Sequence, residues 1–190
     1  MQGNPNNPRP SELEWLMALA ADAAEIQMRQ YGNVGAALVA ITPSGLKLLE
    51  SRKLLDNANK DAFASAMRLC CVATAATVGV LTAEVWMLSA KPGERLDLNV
   101  RPSMSPDRRE GVFLSGEARG GICLQWWFPI LRNSAGTFTG FGPVTSFPPE
   151  QSAGRYIGLL PDRIGSERER EAAATALSAL GFEVKDLGPA

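Results

Sequence analysis

Between residues 80 and 131, three stretches place apolar residues at every second position, the period of β-strands. In the first, Leu81, Ala83, Val85 and Met87 make one wholly apolar face and leave Thr82, Glu84 and Trp86 on the other. The second sets Val112 and Leu114 against Phe113, Ser115 and Glu117, and the third sets Ile122, Leu124, Trp126, Phe128 and Ile130 against Cys123, Gln125 and Trp127. Each strand thus has a dry face and a mixed face with a large aromatic. The pattern predicts that Trp126 is core, while Trp127 joins Trp86 and Phe113 on the mixed face. Arg119-Gly120-Gly121 makes a tight hairpin between the last two strands, and residues 133–136 make the next, leading to a short strand over 137–141. Pro129 lacks an N–H, so its strand is expected at an edge or bulged there.

The flanking chain predicts helices and one more hairpin. Residues 1–10 carry three prolines and little apolar surface, which predicts a flexible tail. Ser11 to Glu14 has capping-box spacing and opens a helix that stops at Gly32-Asn33, with Leu13, Leu16, Leu19, Ala23 and Ile26 inward and Glu14, Asp22, Glu25 and Arg29 outward. Residues 34–42 are apolar on both faces, as in a central strand, and turn at Pro43-Ser44-Gly45 into a partner over 46–50. A largely buried helix follows over 60–77, capped by Asn59. Residues 143–165 are expected to be irregular. A second capping box, Ser166 to Glu169, opens a helix ending at Gly181 with Ala173, Leu177 and Leu180 inward, before a short strand over 182–187.

These elements predict an α+β fold: one domain over residues 11–190, with a single antiparallel sheet of about five strands and helices mainly on one face. Their order (helix, hairpin, helix, meander, helix) resembles the roadblock and profilin-like group. The resemblance is helped by GAALVAITPSGLKLLE, which is similar to that group's opening hairpin. It implies a fold and little about activity.

Composition narrows the function classes. With 19 basic against 20 acidic residues there is no electrostatic reason to expect nucleic acid or an anionic membrane as partner. The longest apolar run is interrupted by Arg68, and no secretory pattern opens the chain, which predicts a cytoplasmic protein. Cys70, Cys71 and Cys123 read as reduced thiols. There is no histidine, which removes the commonest general base and metal ligand.

The chemistry worth weighing lies at Glu84 and Trp86 and in RPSMSPDRREGVFLSGE, residues 101–117. This stretch resembles a family of small uncharacterised bacterial and phage proteins with a Glu-x-Trp strand, a Pro-Ser, an Asp-Arg and a Glu before the next strand. The likeness covers about residues 80–132 and implies kinship and a mobile-element setting, with no activity to carry over. The family's acidic residue after Pro-Ser is Met104 here. One reading of the residues is a metal site of Glu84, Asp107 and Glu110, since carboxylates with open positions suit divalent-metal hydrolysis of phosphates. The preferred reading is an ion-pair network in which Arg101 or Arg108 holds Glu84 or Asp107, because structural pairs are common and no lysine stands at nuclease-like spacing.

The sequence therefore predicts a non-catalytic binding or assembly protein of a phage or bacterial accessory system. Its partner surface is the mixed face and adjoining loop: Glu84, Trp86, Arg101, Asp107, Arg108, Glu110, Phe113, Gln125 and Trp127. The partner is a protein or a second copy of the chain, and neither cofactor nor metal is expected. A carboxylate-dependent metal hydrolase and a structural virion component are the alternatives.

Overall fold

Local capping chemistry fixes where the helices begin and end. In the computed structural model, which describes residues 10–51, 56–88, 104–147 and 156–189, α1 (Pro10–Tyr31) begins one residue ahead of the expected Ser11 cap. It stops at Gly32, whose φ of 74° and bond from its amide to the Met28 carbonyl make a left-handed C-cap. α2 (Asn57–Ala73) is capped by the Asp56 side chain accepting from the Asn59 amide at 2.8 Å, so the cap lies three residues before Asn59. α3 (Glu167–Ala179) carries the expected capping box: Ser166 accepts from the Glu169 amide and Glu169 accepts from the Ser166 amide. The tail over residues 1–10 falls, Pro10 apart, outside the described residues.

The strands are β1 (Ala37–Thr42), β2 (Gly45–Glu50), β3 (Val78–Met87), β4 (Arg109–Ala118), β5 (Ile122–Arg132), β6 (Phe138–Phe141), β7 (Thr145–Phe147) and β8 (Val184–Gly188). They form an antiparallel sheet of 8 strands in the order β6-β5-β4-β3-β1-β2-β8, with β7 also paired to β5. The sheet is larger than the expected five or so strands: all six strand stretches between residues 34 and 141 join it, the stretch read as irregular adds β7, and the C-terminal strand docks on β2. Pro129 lies where the free edge of β5 passes from β7 to β6. Its carbonyl accepts from the Gly142 amide on that side, so its missing donor falls where the edge partner changes.

The helices lie on both faces rather than mainly on one. α1 packs through Leu13, Leu16, Met17, Ala20, Ala24 and Met28 onto Val78, Val80, Val112 and Leu114. On the opposite face, α2 and α3 pack through Phe63, Met67, Cys71 and Leu177 onto Leu38, Leu49, Leu81 and Ala83. Leu180 is exposed, contrary to its expected place on the inner stripe of α3. Gly116 lets α1 come close to β4, since a Cβ there would stand 2.6 Å from the Met17 sulfur and 2.8 Å from Leu13. Among the described residues the two faces are unequally covered. Seven strands in line span roughly 29 Å at about 4.8 Å each, whereas one helix is only about 10 Å wide. Trp126, Phe128, Ile130 and Phe141 consequently sit beside α1 only partly buried.

Candidate interaction face

Register decides which residues share a face, and it divides the expected mixed face in two. Glu84 lies opposite Val112, Trp86 opposite Glu110, and Ala83 opposite Phe113. Phe113 in turn lies opposite Trp127, and Ser115 opposite Gln125. Glu84, Trp86 and Glu110 thus stand on the α1 side, whereas Phe113, Gln125 and Trp127 stand on the α2 and α3 side.

On the α1 side, Glu84 and Glu110 are diagonal neighbours on adjacent strands and hydrogen-bond to each other. Glu84 Oε2 also accepts from the Val34 amide at 3.1 Å. Arg132 grips Glu110 with two bonds of 3.0 and 3.1 Å and donates to the Gly32 carbonyl at 3.3 Å. Burial pushes the Glu84 carboxyl above its ordinary range, the Val34 amide opposes that shift, and the Glu110 carboxylate adds to it. Arg132 pulls Glu110 below the ordinary range. The cluster ties the C-terminal end of α1 to β3, β4 and β5 through the Val34 amide, the paired carboxyls and Arg132.

The expected hold of Arg101 or Arg108 on Glu84 or Asp107 is not the contact that organises this cluster, which joins strand to strand rather than pinning the loop. Arg132 holds Glu110, while the Arg108 guanidinium stacks on the indole of Trp86, 4.7 Å from the ring centroid. The Asp107 amide is held by the Ser105 hydroxyl at 3.2 Å. Arg101 lies outside the described residues. Among the described residues no three His, Cys, Asp or Glu side chains converge as a metal set, so Asp107 does not complete a triad with Glu84 and Glu110.

On the opposite side, Gln125 and Trp127 are buried and Phe113 is partly buried. Trp126, expected as core, packs against the α1 core but is only partly buried, whereas Trp127, assigned to the mixed partner face, is 4% exposed and so belongs to the interior. Trp127 lies across Gly111, where a Cβ would overlap the indole. Part of this side is closed by the segment before α3. The buried Glu117 carboxylate accepts from the amides of Gly158, Leu159 and Leu160 at 2.7, 2.7 and 3.2 Å, and Arg119 donates to the carbonyls of Ala76 and Pro161. Burial raises the Cys70 thiol to about 11 and that of Cys71 well above its ordinary value, as suits packed, unreactive thiols.

Reading the sequence for a single inner stripe missed the outer face of α1. Trp15, Leu19 and Ile26 are 45%, 39% and 55% exposed, and Ala23 is exposed with them. The signal was present as Trp15, Leu19, Asp22 and Ile26, spaced by four, three and four. A cleft of about 730 Å³ between Gln27, Gly35, Ser51, Phe182 and Lys185 contains none of the residues singled out from the sequence. No helix among the described residues is long and apolar enough to cross a membrane. Compared with family models, curated proteins and solved structures, the chain matches none.

Proposed function

We propose that the protein is a non-catalytic binding or assembly protein that meets a protein partner through the α1 side of its sheet. The observation that carries this reading is the exposure of Trp15, Ile26 and Trp86 on the side of the sheet that, among the described residues, one helix covers. Exposed aromatics with charged neighbours such as Arg108, Arg29 and Asp22 have the composition of an interface. Glu84 accepts from the Val34 amide and Glu110 pairs with Arg132, contacts that support a structural task for them over the hydrolytic alternative. An accessory or virion setting is proposed on the sequence resemblance read over residues 80–132 alone. The order helix, hairpin, helix, meander, helix, shared with the roadblock and profilin-like group, lends no function.

The test places a photo-crosslinking amino acid at position 26, 86 or, as control, at the exposed Glu171 on α3, in cells that naturally make the protein. Adducts of defined mass from positions 26 and 86, with none from 171, are expected. Equal crosslinking from all three positions, or none from 26 and 86, overturns the reading.

A further inference from the structure

Resting on the reading that the α1 side is the partner surface, we infer that its occupant is a second copy of this chain, with the two α1 helices packed antiparallel. The exposed stripe has heptad spacing. Glu12, Leu19 and Ile26 fall at one repeating position and Trp15, Asp22 and Arg29 at the other, directly opposite the buried Met17 and Ala24. An antiparallel two-fold pair sets each position of the first kind against one of the second kind, because reversing the helix exchanges the order of the spacings. Trp15 then meets Ile26 of the second copy, and Glu12 meets its Arg29 at both ends of the contact.

Charge gives the pairing its direction. Glu12 stands in the first turn of α1 and Arg29 in the last, so antiparallel packing brings opposite charges together twice, whereas parallel packing sets Glu12 on Glu12 and Arg29 on Arg29. The Arg29 guanidinium bonds Glu25 and lies over the Phe138 ring, 5.6 Å from its centroid, yet the side chain is 56% exposed, so its outer edge can meet a second carboxylate. Leu19 faces Asp22 in the central layers, and a polar residue in such a seam fixes register at a cost in stability. A helix of 22 residues is about 33 Å long and offers an interface at the small end of the range, so the dimer is reversible.

The experiment is sedimentation velocity of the full chain over a concentration series, with thermal melts of every variant. Wild type is expected to pass from monomer to dimer as concentration rises, and Leu19→Glu to raise the dissociation constant at least tenfold with its melt unchanged at concentrations where wild type is monomeric. Glu12→Arg and Arg29→Glu are each expected to weaken the dimer, the two together to restore it, and Asp22→Asn to tighten it. A double charge variant no stronger than the single ones overturns the antiparallel pairing. A dimer indifferent to Leu19→Glu places self-association elsewhere and overturns the inference. So does a large drop in melting temperature in that variant, which would show the stripe covered by the chain itself. A wild type that stays monomeric overturns self-pairing while leaving the partner surface standing if position 26 still crosslinks another protein; with no adducts there, both fall.

Discussion

Glu84 is the residue whose chemistry departs furthest from its appearance in the sequence. A carboxyl in a strand beside a charged loop reads as a site for a cation, yet it is held between the Glu110 carboxyl and the Val34 amide, and burial pushes it above its ordinary range. Its folded-state value lies above the ordinary 4.5, so the stability it contributes is fully present below that value and is lost as pH rises through the raised one. Glu84→Gln keeps an acceptor for Val34 and a donor for Glu110 while removing the titration. We expect the variant to match wild type at about pH 4 and to melt higher than wild type at about pH 7.5. A difference that does not change with pH would show that Glu84 is ionised throughout.

At the scale of elements, what was legible was whatever a few neighbouring residues decide. The Ser166 capping box, the Gly32 stop and the Arg119-Gly120-Gly121 hairpin all have such local causes, and all stand as read. The three-residue hairpin also fixed β4 against β5, so the grouping of Phe113 with Trp127 was correct. The link from β3 to β4 spans residues 88–108, too long for a turn to set register, and a slip of one residue exchanges every side chain between faces. That is why the pattern places Trp86 on the same face as Phe113 and Trp127, although it lies on the opposite one. The close pairing of β4 and β5 makes a testable point at Gly111, where a Cβ would overlap the Trp127 indole and stand 2.7 Å from the Phe128 carbonyl oxygen. Gly111→Ala should therefore cost about 1–3 kcal/mol by urea unfolding, the usual cost of overpacking. An unchanged midpoint would mean that Trp127 is free to leave its place.

For the whole molecule, the governing fact is unequal coverage. Among the described residues, the α2 and α3 side is closed over Leu81, Ala83 and Glu117, while the α1 side has one helix for a sheet about three times its width. The outer stripe of α1 escaped notice because Leu19, Ala23 and Ile26 fit an inward face as well as an outward one. A helix with apolar residues all round has no single orientation written in its sequence. Only the sheet, by presenting Gly116 to Met17 and Leu13, determines which stripe turns inward.

The four tryptophans report on this arrangement together. The most direct measurement is the ¹⁹F spectrum of the chain labelled with 5-fluorotryptophan, at high dilution, with a soluble gadolinium chelate added. Trp15 and Trp86, 45% and 43% exposed, should broaden first, Trp126 less, and Trp127 least; raising the protein concentration should protect Trp15. Broadening of Trp127 while Trp15 and Trp86 remain sharp would contradict the account, because the partner surface would then lie on the opposite side of the sheet.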